Sequence, residues 1–238
     1  MGDSDGRVVQ LSFSNEHIDA RWVTDADHLE IGPRTIVVNL STEPIVYSAG
    51  GPVGFLLPFK STILERAVLR SAESAILLRQ IRTTNIGGSI LGEGWRHLND
   101  IQPSFARSTP LWLSSQDDVG HVELDPRVLV HQSETPGPAR PFNIKVNLWF
   151  SPAETDCVIH TGHEFLEVHT QVYGIGHMQK FIEDDQATLY EDVYMTPGLT
   201  HQPFPVVGDS GEFEYPWHRY YADTDCIWMA IELHVPGQ

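Results

Sequence analysis

From His163 to Tyr173 the residues sort into two contrasting faces at the period of a β-strand, and this run constrains the fold more than any other stretch of the sequence. Side chains of a β-strand point alternately to its two faces. One face of such a strand carries His163, Phe165, Glu167, His169, Gln171 and Tyr173. After Glu164 the other carries Leu166, Val168, Thr170 and Val172, a β-branched and apolar packing surface. Two imidazoles, a carboxylate and an amide are costly to bury unless each finds a partner. A bound cation satisfies them together, and imidazole with carboxylate is a donor set that iron(II), manganese, nickel or zinc accepts.

Further along, Pro197-Gly198-Leu199-Thr200-His201 places another imidazole just after a turn. The spacing His163-x3-Glu167-x6-Gly174, followed by this Pro-Gly-x2-His, resembles the two metal motifs of the cupins. The resemblance covers roughly residues 142 to 236. It implies an antiparallel β-barrel of the jelly-roll type in which His163, Glu167 and His201 hold a metal, as in iron-dependent cupin oxygenases. The pattern departs from the family at one place: threonine stands at 161, and the nearest upstream histidine is His160. Two arrangements remain open. Gly162 marking a β-bulge would turn His160 inward as a fourth ligand; otherwise His160 is a bystander to a three-ligand site.

Composition narrows the class of partner. The 238-residue chain carries Lys+Arg 15 against Asp+Glu 32, a formal net charge of -17 that repels phosphate backbones and anionic membranes. With 41% hydrophobic and 10% aromatic residues it has the material for a sizeable core. No apolar run approaches the roughly 20 residues of a membrane span, and residues 1–6 are polar and acidic, without a signal-peptide core. A cytoplasmic protein with a small-molecule substrate, and no nucleic acid or membrane partner, is expected. Cys157 and Cys226 are read as reduced thiols.

Residues 8–13 and 35–40 read as strands, and residues 61–81 as further strands in preference to a helix. Asn85-Ile86-Gly87-Gly88 and Leu91-Gly92-Glu93-Gly94 read as turns, and residues 133–141 as a Pro-rich linker. Beyond it, Phe142, Ile144, Val146, Leu148 and Phe150 alternate with polar residues and Trp149 as another strand. The expected fold is mainly β. Residues 1–138 form a β-rich extension or a degenerate second barrel, read as closing one end of the metal barrel and helping to form a homodimer. Residues 139–238 form the metal-binding barrel.

His169 is a candidate base or support for a ligand, and Gln171 a candidate support. His218, Arg219 and Tyr173 are candidates for substrate binding, with the Arg219 guanidinium as a clamp for a carboxylate. His177 reads as a surface residue, and Tyr220, Trp217 and Trp228 as core. From Pro141 onward the only basic side chains are Lys145, Lys180 and Arg219, which suits a neutral or singly charged substrate. The resemblance implies a non-haem iron(II) oxygenase. A redox-neutral isomerase, lyase or cyclase using zinc, manganese or nickel is the alternative, and a metal-dependent binding protein without turnover is a third.

Overall fold

The computed structural model describes residues 6–81, 85–135 and 137–237, apart from the side chain of Ser89. The acidic N-terminal residues 1–5, and Pro136 within the linker reading, lie outside them. The first half builds strands β1 (Arg7–Gln10), β2 (Ile18–Ala26), β3 (Leu29–Ile31), β4 (Thr35–Asn39), β5 (Ile45–Ser48), β6 (Val53–Leu56), β7 (Ser61–Leu64) and β8 (Ala67–Gln80). Residues 61–81 are thus strands, and β8 organises the rest: β2 and β4 flank its C-terminal part, β3 and β5 its N-terminal part.

The sequence reading differs from the structure at residues 86–92, where the expected turns are a short helix, α1 (Ile86–Gly92). Ile86 and Ile90, one helical turn apart, are both buried in the core. That burial outweighs the entropic cost of the glycines. Gly87 also lets the helix approach the Phe150 ring, whose Cζ would lie 3.0 Å from an added Cβ.

The chain continues through β9 (Arg96–His97), α2 (Leu98–Ile101), β10 (Trp112–Leu113), β11 (Asp117–Leu124) and α3 (Pro126–Leu129) into β12 (Arg140–Ser151). Then come β13 (Thr155–Asp156), β14 (Leu166–Tyr173), β15 (Gly176–Phe181), β16 (Leu189–Met195), β17 (Val206–Val207), β18 (Phe213–Glu214), β19 (Trp217–Ala222) and β20 (Cys226–His234). One antiparallel sheet contains β12, β20 and β14, with β9, β10 and β11 beyond β12; the other runs β13–β19–β15–β16. Residues 198–201 extend the first sheet beside β14, through Gln171 N–H to Leu199 O and Gly198 N–H to Gln171 O, each 2.9 Å. From β12 onward the chain passes back and forth between these two sheets, apart from the β15–β16 hairpin and the separate β17–β18 hairpin, as in the Greek keys of a jelly roll.

The faces of the first sheet are used in an unusual way. Phe142, Ile144, Val146 and Leu148 of β12, Leu166 and Val168 of β14, and Met229 and Ile231 of β20 point away from the barrel. They share one core with Ile18, Ala20, Ile36, Val38, Ile76 and Leu78 of the N-terminal sheet. The N-terminal half thus covers the outer face of the barrel. The inner face carries Lys145, Asn147, Glu167, His169, Gln171 and Glu232 beside Trp149 and Trp228, and the site forms there.

Candidate metal centre

The strand expected at 163–173 begins at Leu166, opposite Leu233 near the end of its partner β20. Residues 161–165 form a loop in which Gly162 adopts φ +87°. His160, before the loop, pairs across the barrel with His218 of β19: each backbone N–H donates to the other's carbonyl at 2.9 Å. Directly opposed residues in such a pair hold their side chains close, and the two rings lie 4.4 Å apart between centroids. The loop then returns His163 to them, its Nε2 3.2 Å from that of His160 and 3.1 Å from that of His218.

Proton placement makes these contacts informative. His160 Nδ1 lies 3.0 Å from the Val158 carbonyl and His218 Nδ1 2.9 Å from the Pro216 carbonyl. A carbonyl only accepts, so both Nδ1 atoms carry the proton and both Nε2 atoms present a bare lone pair. His163 Nε2 has at most one proton to offer two such lone pairs. Burial lowers the His160 and His218 imidazoles, that of His218 to about 3, which keeps both neutral. The three donor atoms lie within 4.8 Å of one another. Neutral imidazoles with tautomers fixed by backbone carbonyls are what a divalent transition metal requires, so the residues fit such an ion.

Val158, which supplies one carbonyl, is a β-branched residue at φ +68°. This is a strained conformation. Its own N–H donates to Asp156 Oδ1 at 2.9 Å, which helps hold the carbonyl toward His160.

Glu167 and His169 stand beside the cluster on the inner face of β14. Glu167 Oε1 lies 3.0 Å from His169 Nε2. Burial would raise the Glu167 carboxyl, but His169 above all, with His163 and His218, holds it well below the usual carboxylate range. A carboxylate only accepts, so His169 Nε2 carries the proton. Its Nδ1 is buried with no hydrogen-bond partner. Tyr215 fixes the entry to the strand, its hydroxyl donating to Phe165 O at 3.0 Å and accepting Glu167 N–H at 2.8 Å.

His201 is not brought to the cluster. Its Nδ1 donates to Gln202 O at 2.6 Å and its Nε2 accepts His169 N–H at 2.9 Å, so both nitrogens are in use. Burial holds its imidazole well below the usual value. His201 fastens residues 198–201 to β14. Gln171 is likewise fully committed, accepting the Tyr220 hydroxyl at 2.8 Å and donating to Tyr173 O at 2.8 Å.

The remaining candidates are dispersed. Tyr173 packs against the core shared with the N-terminal half. Arg219 faces away from its neighbour His218: it donates to Gln179 Oε1 at 2.9 Å, pairs with Asp156, and lies over the Phe181 and Tyr221 rings. It is not part of the cavity lining, so the expected clamp is absent there. His177 is buried, contrary to the surface reading, with a ring nitrogen 2.8 Å from each of Asp192 and Asp223. Cys157 and Cys226 are free thiols, and burial pushes that of Cys157 up. Trp228 and Tyr220, stacked 4.0 Å apart, serve as core and cavity wall together.

The cluster opens into a cavity of about 650 Å³. Leu98, Phe105, Leu111, Trp149, Met178 and Val235 form apolar walls, and Lys145, Glu232 and His234 lie on the same strand faces as Glu167 and His169. Leu98 and Phe105, from the first half of the chain, help close the cavity. Sequence reasoning underrated His218 because only the pairing of β19 with residue 160 brings it to the site.

No family model matches this sequence, and no curated protein matches it. Solved structures similar to the chain include cupin-domain proteins. A cupin 2 conserved barrel domain protein from Leptotrichia buccalis is 6% identical, with 98% of this chain and 92% of that chain covered and a TM-score of 0.31. The Escherichia coli ribosomal oxygenase YcfD is 16% identical, with 39% and 24% covered and a TM-score of 0.28. For FeII HppE the values are 12% identity, 40% and 50% covered, and a TM-score of 0.27. The likeness to the last two spans about a quarter and a half of their own lengths. Similarities this weak carry nothing about reaction or substrate. Among the described residues, no helix is long and apolar enough to cross a membrane.

Proposed function

We propose that the chain is a metal-dependent enzyme acting on a small organic molecule, with His160, His163 and His218 holding a divalent transition metal and non-haem iron(II) oxygenase chemistry as the leading reaction. One observation carries this reading: three imidazole Nε2 atoms converge at the wall of a largely apolar cavity, two of them with lone pairs fixed inward by backbone carbonyls. Three protein donors, in place of a closed set of four, are the catalytic type of site, and imidazole donors suit iron, nickel and zinc. A bound ion would supply Lewis acidity or, as iron(II), redox chemistry. The protein's own residues do the rest. The apolar walls bind the substrate body and exclude water, the Val158 and Pro216 carbonyls hold two imidazoles in register, and Tyr215 pins the strand that carries Glu167.

The second reading is a redox-neutral isomerase, lyase or cyclase using zinc, manganese or nickel. It is favoured by the Glu167–His169 pair, in which the carboxylate orients the ring and Nδ1 has no hydrogen-bond partner of its own, an arrangement suited to proton transfer. The discriminating experiment is metal analysis of protein purified without chelators, then anaerobic iron(II) loading and addition of nitric oxide. An electron paramagnetic resonance signal of nitric oxide on high-spin iron supports the oxygenase. Tightly held zinc, manganese or nickel, with iron neither bound nor reactive to nitric oxide, supports the redox-neutral enzyme. A chain that takes up no divalent metal overturns both.

A further inference from the structure

One cation in the cavity wall has no ion-pair partner among the described residues. Lys145 sits on the inner face of β12, half-buried in the cavity wall. Its two cross-strand neighbours are acids, Glu232 of β20 and Asp118 of β11. Cross-strand neighbours of opposite charge ordinarily pair. Here the acids are otherwise engaged. Glu232 Oε2 lies 2.8 Å from His234 Nε2 and accepts Gln116 Nε2 at 3.0 Å. Asp118 Oδ1 accepts the Gly120 N–H at 3.0 Å. Glu167 is held by His169, and Glu164 is exposed at the rim. Among the described residues no carboxylate lies within 4.0 Å of the Lys145 ammonium.

We infer that Lys145 is the docking point for the carboxylate of a substrate whose body is apolar. The inference rests on the cavity being the active site. A half-buried ammonium without a partner gains most from an anion that enters with the ligand. Monoanionic charge follows from the surroundings: Lys145, Glu232 and Glu167 lie in one row across three paired strands, so a dianion such as a phosphate would meet two carboxylates behind one cation. The apolar body follows from the wall, in which Trp149 and Trp228 stack 6.2 Å apart and Trp228 stacks on Tyr220. Arg219 and Lys180, the other cations beyond Pro141, are already paired, with Asp156 and Glu191.

The test uses three probes of one shape, 3-phenylpropanoate, 3-phenylpropanamide and 3-phenylpropylamine, titrated calorimetrically into the full chain as isolated and after metal removal. The expected result in both forms is a preference of about tenfold or more for the carboxylate over the amide, with the amine weakest. In Lys145→Gln that preference collapses to within about threefold, while metal stoichiometry stays at the wild-type value. Equal or tighter binding of the amide or amine, no saturable binding of the carboxylate, or a preference that survives in Lys145→Gln overturns the inference. A preference seen only with metal bound and unaffected by the substitution would place the carboxylate on the ion, overturning the role of Lys145 while leaving the metal centre standing. Failure of the metal centre shows separately, as a wild-type chain that binds no metal.

Discussion

The chemistry of the site is decided at single atoms, the Nδ1 protons of His160 and His218. Their carbonyl partners turn two ordinary imidazoles into inward-facing donors, so substitutions at the site should separate by role. His218→Ala removes a donor and should weaken zinc binding by at least about tenfold, read by competition with a chelating dye. Val158→Gly should do something less obvious. It relieves a β-branched residue at φ +68°, so thermal stability should rise by about 1 kcal/mol. Metal affinity should fall several-fold because the carbonyl that orients His160 is loosened. His201 gives a prediction in pH. Its folded imidazole is held well below 6.5 by burial, so the unfolded chain binds the proton more readily. The stability linked to it is present above about pH 6.5 and is lost as pH falls toward the depressed folded value. Acid unfolding of metal-free protein followed by circular dichroism should therefore show stability declining from pH 7 toward 4. In His201→Gln the decline should be shallower.

Elements set the positions of these atoms, and two glycines show how. Gly162 turns the loop at φ +87° with nothing within 4 Å of an added Cβ, whereas Gly174 at φ +77° would put a Cβ 2.0 Å from Asp225 O. Gly162→Ala should cost only the backbone strain, about 1–2 kcal/mol, and show itself mainly in metal affinity as His163 shifts. Gly174→Ala meets backbone that cannot move aside, and should cost about 3 kcal/mol or more, seen as loss of soluble protein or a collapsed melting temperature. Strand β14 was legible because its period of two is written in residues 166–172: the even positions are buried against the N-terminal half and the odd ones hold Glu167, His169 and Gln171. The helix at 86–92 was not legible, since its stability comes from Ile86 and Ile90 reaching a core made of residues far away in sequence.

At the scale of the whole molecule, the two halves share the core on which the barrel's inward polarity depends. Phe142, Ile144, Val146, Leu148, Ile227 and Ile231 are almost wholly buried, with N-terminal strands packed in the same cluster. Each such side chain contributes about 1.5–3 kcal/mol when removed from water. A chain restricted to residues 139–238 should therefore bind hydrophobic dye strongly and lack a sharp near-ultraviolet spectrum, whereas the full chain should show neither defect. If the isolated segment instead folds cooperatively, the shared core is dispensable.

The sequence by itself determined the strand periods, the mainly β class, the apolar and polar faces of β12 and β14, and the gathering of imidazole around residues 160–169. Those are local properties, set by which side chains alternate along one strand. Tertiary structure alone decided which imidazoles meet. His201, adjacent to β14, is drawn into a backbone hydrogen bond with His169, while His218, far from residue 160 in sequence, lies directly opposite it. The same is true of charge: Arg219 and Lys145 look alike in the sequence, and only the partners supplied by folding spend one on Asp156 and leave the other facing the cavity. Pairing across strands depends on register between distant segments, and register is fixed only when the whole core has formed.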